Sequence, residues 1–208
     1  MNGRHVVLAI TGASGSVYGL RLGEALLAAG VRLSLLISRP GFSVLKEECC
    51  LDWDGDPRHV DSCLSEYFKP ADGQLVYYRE DDFFSPLASG SSAPDTMVVA
   101  PCSMGSLARI AAGLSGNLLE RTADVMIKEG RPLVLVPRET PLSAIHLENM
   151  LKLARLGVRI VPAMPAFYGK PQTIRELTDF MVGKVLDQMG IPHRLYQPWG
   201  DKPVRGEE

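Results

Sequence analysis

The sequence has few cysteines, and none of them stands where a metal or a disulfide framework would need it. Cys49, Cys50, Cys63 and Cys102 show no CxxC spacing and no clustered histidines. A structural zinc site and a disulfide-stapled scaffold are therefore not expected. The expectation is reduced, mostly buried thiols. No apolar run approaches the roughly 18 residues of a membrane span. The first residues, Met1 to His5, lead straight into a strand-like run without a signal-peptide pattern. An excess of one charge is missing too: 22 Lys+Arg stand against 24 Asp+Glu, a net charge of -2. That balance gives no nucleic-acid footprint and no membrane-surface patch, so any basic site must be local. The chain also lacks a full GxGxxG, and no acidic residue closes the Val31 to Ile37 run. The dinucleotide fingerprint is thus incomplete. A cytoplasmic protein with neither nucleic acid nor membrane as partner is expected.

What is present is an ordinary globular composition, 46% hydrophobic and 22% charged over 208 residues, enough for one substantial core. His5 to Ile10 reads as a buried strand, Thr11 to Gly15 as a turn, and Val17 to Ala29 as a helix stopped by Gly30. A second strand, Val31 to Ile37, runs into a helix capped by Ser38, with Pro40 in its first turn and Glu48 near its end. This β-α-β-α order predicts an α/β fold with a mostly parallel sheet. Further on, the pattern predicts a helix over 57–68, a short strand over 74–78 and a small-residue loop over 88–94. A strand over 96–100 should end at Pro101, before a helix over 107–112 capped by Ser103. Asn117 should cap the next helix, which Gly130 ends. A strand over 132–136, a helix over 143–156, a strand over 158–161 and a helix over 174–189 complete the series. Residues 1–191 then form a single domain, and 192–208, rich in proline, glycine and charge, an extended arm. Trp199 in that arm would be unfavourable in water, so the arm should dock on this chain or a neighbour.

Three strand ends carry chemistry. The apolar strand at 132–136 stops at Pro137, and Arg138-Glu139 follows, which places two opposite charges at the carboxyl edge where open α/β sheets bind ligands. For both neighbours to face the site, the chain must leave strand geometry by Pro137. Thr11-Gly12-Ala13-Ser14-Gly15 is either a plain tight turn or a phosphate cradle at a helix N-terminus. Ser103, Met104, Gly105 and Ser106 are either an ordinary cap or a second polar contact for the same ligand. Cys102 has no histidine placed to activate it and reads as structural. Arg121 and Lys128, seven apart, share one face of a helix. That face is either solvated or part of a site. His146 and Lys184 stand on helices where solvent is the ordinary fate, and Tyr168 ends a proline-stiffened loop.

Taken in order, these segments resemble the UbiX flavin prenyltransferases. The segments are Thr-Gly-Ala-Ser-Gly (11–15), Ser-Gly-Ser-Ser-Ala-Pro (89–94), Ala-Pro-Cys-Ser (100–103), Glu-Arg-Thr-Ala-Asp-Val-Met-Ile-Lys-Glu (120–129), Arg-Pro-Leu-Val-Leu-Val-Pro-Arg-Glu-Thr-Pro (131–141), His-Leu-Glu-Asn-Met (146–150) and Pro-Ala-Phe-Tyr (165–168). The resemblance spans nearly the whole chain and is weakest over 52–85. It implies a Rossmann-like three-layer sandwich assembled as a homododecamer. It implies that reduced FMN takes a dimethylallyl group from dimethylallyl monophosphate at N5 and C6, giving prenylated FMN for a UbiD-type decarboxylase. It further implies FMN contacts at Gly12, Ala13, Ser14, Ser38, Ser103, Met104, Gly105, Ser106 and Arg138. The prenyl phosphate would meet Tyr168 and Lys184, with Ser89, Gly90, Ser91, Arg121 and Lys128 on the substrate side. Glu139, Ser14, Arg121, Lys128, Trp199 and Glu48, the last from an adjacent subunit, would form the catalytic set. Lys184 departs from an arginine that the family also uses there, and so loses the planar fork.

The residue types suit that chemistry. No DDxxD motif for magnesium is present, so a metal-independent reaction is expected, with arginine and lysine neutralising the leaving phosphate. Aromatic faces at Tyr168 and Trp199 suit a developing allylic cation, and Glu139 is a candidate base for the proton lost on ring closure. Two alternatives stay open. One is a flavin-dependent decarboxylase of the same superfamily, although Pro165-Ala-Phe-Tyr168 replaces its PxMNxxMW-type motif. The other is a non-catalytic flavin carrier.

Overall fold

Val6 to Ile10 and Leu33 to Ile37 are apolar at every position but Ser34. Successive side chains of a strand leave opposite faces, so both faces must be covered, as helical crossovers between parallel strands achieve. The computed structural model describes residues 3–200. Its strands are β1 (His5–Ile10), β2 (Arg32–Ile37), β3 (Leu75–Tyr78), β4 (Thr96–Cys102), β5 (Leu133–Pro137) and β6 (Arg159–Ile160). They form one sheet in the order β3-β2-β1-β4-β5-β6, with every pair parallel. The buried Ser34 hydroxyl is matched by His5 Nε2 at 2.9 Å.

The helices are α1 (Ser16–Ala28), α2 (Arg39–Cys49), α3 (Pro57–Phe68), α4 (Met104–Ala111), α5 (Leu118–Lys128), α6 (Ala144–Arg155) and α7 (Ile174–Met189). Val6, Leu8 and Ile10 pack with α1, α2, α3 and α7 on one face. Val7 and Ala9 pack with α4, α5 and α6 on the other. The result is the expected three-layer Rossmann-like fold, in the strand order 3-2-1-4-5-6 of that class. Six helices begin with a side-chain cap, from Ser38, Asp56, Ser103, Asn117, Ser143 and Thr173. Helix α1 does not; Gly15 precedes it in a left-handed conformation, φ 101°.

Some details differ from the sequence reading. β4 does not stop at Pro101 but runs through it to Cys102, with a register shift after Val99. Proline has no N–H for a ladder, and the shift removes the need for one. The Pro101 carbonyl bonds Thr11 instead. β6 holds two residues rather than four, an edge strand paired only to β5. The loop at 88–94 contains short 3-10 turns at Pro86–Ala88 and Gly90–Ser92. The helix after Ser103 starts at once, at Met104. The thiols are not mostly buried: Cys102 is, Cys49 and Cys63 are half-buried, and Cys50 is exposed where α2 ends in a left-handed residue. The arm is described as far as Gly200; residues 201–208 lie outside the described residues.

One glycine joins two layers. A Cβ on Gly19 of α1 would lie 2.3 Å from the Ala100 carbonyl oxygen and 2.9 Å from Ile10 Cγ1. Gly19→Ala must push α1 off the end of β4, and overpacking of this kind costs about 1–3 kcal/mol. The expected result is an unfolding midpoint lowered by several degrees, at ~2–4 °C per kcal/mol for this size. An unchanged midpoint in calorimetry would refute the close approach.

Candidate active site

The sheet order reverses between β1 and β4, and at such a switch point the crevice lies outside the carboxyl ends of the strands. Here Thr11 fastens the two strand ends. Its buried hydroxyl donates to the Pro101 carbonyl at 2.8 Å and accepts from the Ser103 amide at 2.8 Å. The Ser38 amide donates to the Ile10 carbonyl at 3.0 Å. Three strand-to-helix turns thereby meet around a cavity of about 180 Å³, lined by Gly12, Ser38, Ser103, Ser106, Arg109 and Asn117 with their neighbours. Ser38, Ser103 and Asn117 are the N-caps of α2, α4 and α5. Three helix N-termini with free amides and positive partial charge thus surround one space. Gly12 is required there, because a Cβ would sit 2.4 Å from Pro40 Cβ.

The cation lining this cavity is Arg109; the carboxylates of Glu80 and Glu120 line it too. Its Nε donates to Glu120 Oε1 at 2.5 Å, and its Nη2 donates to Ser106 Oγ at 3.4 Å. Glu120 is only 3% exposed; its other oxygen accepts from the Gly116 amide at 2.8 Å. The Ser103 hydroxyl accepts from the Ser106 amide at 3.2 Å and donates to the Ser106 hydroxyl at 3.1 Å. Hydroxyls, amides and one guanidinium suit a phosphate monoester, so the residues fit the phosphate end of a flavin mononucleotide.

Beside this cavity, α1 receives its missing cap from elsewhere. Glu48 Oε2 accepts from the Gly15 amide at 2.8 Å and the Ser16 amide at 3.1 Å. Glu48 stands near the end of α2 and makes these bonds within its own chain, where α1 and α2 pack side by side. Arg138 Nε donates to the Ser14 carbonyl at 3.2 Å. Burial pushes the Glu48 carboxyl up, but the Ser14 hydroxyl, the two amides and the Arg138 charge together hold it below its ordinary value. A depressed carboxylate contributes stability above the unfolded range and loses it as pH falls through the folded pKa. Glu48→Gln should therefore cost about 0.3–1 kcal/mol at neutral pH and flatten the acid limb of stability. Unfolding midpoints taken from neutral pH downward check this; parallel curves for the two proteins would sink it.

β5 ends at Pro137, so Arg138 and Glu139 are free of strand alternation. Arg138 turns to α1. Glu139 Oε1 accepts from the Thr140 amide at 3.0 Å, and both residues border a hollow of about 80 Å³ with Met150 and Met164. Farther along the edge, Tyr168 meets Phe180 edge-on at 5.8 Å and Trp199 at 5.1 Å. The Lys184 ammonium lies 5.7 Å from the Phe180 ring centre and 4.8 Å from that of Tyr196. Tyr168, Lys184 and Trp199 thus form one aromatic and cationic group. Trp199 is 80% exposed within this one chain, and the arm docks on α7 through His193 and Tyr196.

Ser89, Gly90, Ser91, Arg121 and Lys128 come together elsewhere. Arg121 Nε donates to the Ala88 carbonyl at 3.0 Å, and its Nη1 donates to Asp124 at 2.8 Å. Gly90 lies against Lys128 and Glu129, which pair with each other. The Ser89 and Ser91 hydroxyls are 2.9 Å apart. Helix α5 runs back from the crevice to the amino end of β5, ~16 Å for its length. Within one chain Lys128 therefore stands about a helix length from this cavity. Cys102 is inert, its thiol pushed up to about 12 by burial. His146 closes a capping box with Ser143.

Residues 1–186 match the Flavoprotein family. The flavin prenyltransferase UbiX of Halalkalibacterium halodurans is 51% identical over 193 residues, which cover 93% of this chain and 92% of that protein. The chain belongs to the UbiX flavin prenyltransferase family. Among solved structures, a UbiX in complex with FMN and dimethylallyl pyrophosphate covers 97% of this chain and all of its own, at 39% identity and a TM-score of 0.84. A dodecameric FMN-dependent UbiX-like decarboxylase from Escherichia coli O157:H7 covers 95% of this chain and all of its own, at 40% identity and a TM-score of 0.82.

Sequence reasoning missed three residues that the structure brings beside the expected ones. Arg109 and Glu120 are eleven apart on different helices, and only the packing of α4 on α5 brings them together. Glu120 carries a faint signal, standing three residues after the cap Asn117 in the capping-box spacing. Tyr196 stands in the arm, where no periodicity points to it.

Proposed function

We propose that the chain is a cytoplasmic flavin prenyltransferase that joins the dimethylallyl group of dimethylallyl monophosphate to reduced FMN at N5 and C6, and that the prenylated FMN serves a UbiD-type decarboxylase. The observation that carries this reading is the convergence of three helix N-caps, Gly12 and Arg109 on one phosphate-sized cavity at the strand ends of a UbiX-family chain. FMN, bound and reduced, supplies the nucleophilic N5 and C6 positions. Gly12, Ala13, Ser14, Ser38, Ser103, Met104, Gly105 and Ser106 hold it through amides and hydroxyls, and Arg138 braces the first turn. Lys184 and the Tyr168 hydroxyl take the oxygens of the prenyl phosphate, whose departure is eased by charge-assisted hydrogen bonds. The faces of Tyr168 and Trp199 favour positive charge on the allylic fragment. Glu139 takes the proton lost from C6.

In this reading Arg121, Lys128 and the Ser89–Ser91 turn act on a neighbouring copy's site, in an assembly that we take to be a dodecamer. The place of Lys128 at the far end of α5 from the cavity supports it, as does the dodecameric relative. No helix among the described residues is long and apolar enough to cross a membrane. The test is anaerobic incubation with reduced FMN and dimethylallyl phosphate, followed by the mass of the released flavin. A flavin heavier by one prenyl group is expected; an unchanged mass with FMN bound would sink the proposal.

A further inference from the structure

We propose that Thr11 is a positioning residue for the flavin phosphate. Its buried hydroxyl fixes the turn from Ser103 to Ser106 so that the Ser106 proton is left to donate into the cavity. The proposal rests on the reading of that cavity as the seat of the FMN phosphate.

β1 and β4 pair residue by residue from Val6 with Thr96 to Ala9 with Val99. There the ladder gives out: β4 shifts register after Val99, and Pro101 has no N–H to offer. Thr11 takes over. Its amide donates to the Pro101 carbonyl at 3.3 Å. Its hydroxyl donates to the same carbonyl at 2.8 Å and accepts from the Ser103 amide at 2.8 Å. One hydroxyl thus serves as donor and acceptor, the two roles a peptide group would play in the ladder. Ser103 is the N-cap of α4, so its amide has no partner within the helix. Thr11 is fully buried, away from competing water, and its β-branch restricts χ1. The hydroxyl is therefore held on the line between the two turns.

From Ser103 a chain of hydrogen bonds leads into the cavity. The Ser103 hydroxyl accepts from the Ser106 amide at 3.2 Å and donates to the Ser106 hydroxyl at 3.1 Å. The Ser106 oxygen also accepts from Arg109 Nη2 at 3.4 Å. A serine hydroxyl has two acceptor sites and one proton. With both acceptor sites taken, the proton of Ser106 is what remains, on a side chain that lines the cavity. A phosphate oxygen suits such a donor, and its charge makes the bond strong. Without Thr11 to hold its amide, Ser103 is free to turn, and the order of donors along the chain is lost. Thr11 thus acts through Ser103 and Ser106.

The experiment compares FMN with riboflavin, which lacks the phosphate, by the change in flavin fluorescence on binding to the purified protein. The readout is the ratio of their dissociation constants. Ser106→Ala should lower the preference for FMN about ten-fold, as for loss of one hydrogen bond to a charged group. Thr11→Val, of the same shape without the hydroxyl, should lower it nearly as far, with riboflavin affinity near the parent's. Thr11→Ser keeps the hydroxyl and should restore most of the preference. In Thr11→Val/Ser106→Ala the preference should be no lower than in Ser106→Ala alone, because both changes remove the same bond. If valine prevents folding, Thr11→Ala makes the same comparison. A full preference for FMN in a variant without the Thr11 hydroxyl would overturn the inference, and so would additive losses in the double variant. Equal loss of affinity for both flavins would show a merely structural threonine and overturn it too. If the parent protein binds the two flavins alike, the phosphate reading of the cavity fails, and the inference with it.

Discussion

Glu139→Gln should bind FMN as well as the parent and form prenylated FMN roughly 10²- to 10⁴-fold more slowly, the range for loss of a positioned general base. The backbone at this point is held from both sides. The Arg138 amide donates to the Cys102 carbonyl at 3.3 Å, and the Ala163 amide donates to the Pro137 carbonyl at 3.0 Å. The side chain is held by the Thr140 amide. Glutamine keeps the volume and can keep that bond through its carbonyl oxygen, but it cannot take a proton. Because Arg138 and Ser14 are untouched, flavin affinity should stay level, and single-turnover formation of the heavier flavin should carry the whole effect. Glu139→Asp sharpens the test: the base is retained but withdrawn by one methylene, so its rate should fall between the two. Full activity in Glu139→Gln would remove this residue from the proton step.

The layers of the fold were legible because the evidence for them is local. The continuous apolar runs of β1 and β2 and the glycine and cap residues at each strand end lie within a few positions of what they specify. Ser38, Ser103 and Asn117 could be read as caps singly; their meeting in one cavity depends on the order of the strands. β4 continued through Pro101 because a register shift, a tertiary feature, excused the missing N–H. The site was legible where a strand end or turn carried it, as with Gly12, Arg138 and Glu139. It was not legible where two helices had to be packed before residues could meet. Arg109 and Glu120 are one such pair, and Glu48 with the start of α1 is another. Helical spacing placed Arg121 and Lys128 on one face, but it could not say that the face runs away from the crevice.

Arg109→Leu should show the second large effect, on stability and flavin affinity at once. Glu120 is 3% exposed and would keep only the Gly116 amide and a long contact with the Asn117 side chain at 3.4 Å. Removing one partner of a buried pair costs about 3–5 kcal/mol. The Arg109 side chain is itself 47% exposed, so water can reach its former place, and the lower end of that range is the better expectation. At ~2–4 °C per kcal/mol for a domain of this size, the unfolding midpoint should fall by roughly 6–12 °C. The same change takes the guanidinium from beside Ser106, and one lost charge-assisted hydrogen bond to phosphate is worth about 1.5–3 kcal/mol, or roughly ten- to a hundred-fold in FMN affinity. The double variant Arg109→Leu/Glu120→Leu separates the two losses. With the buried charge gone as well, stability should return, because apolar residues replace buried ion pairs at little cost; the flavin affinity should not return, because the cavity still lacks its cation. Thermal unfolding and FMN titration of the three proteins decide it. Recovery of FMN affinity along with stability in the double variant would mean that Arg109 serves only to neutralise Glu120, and that the helix N-termini hold the phosphate alone.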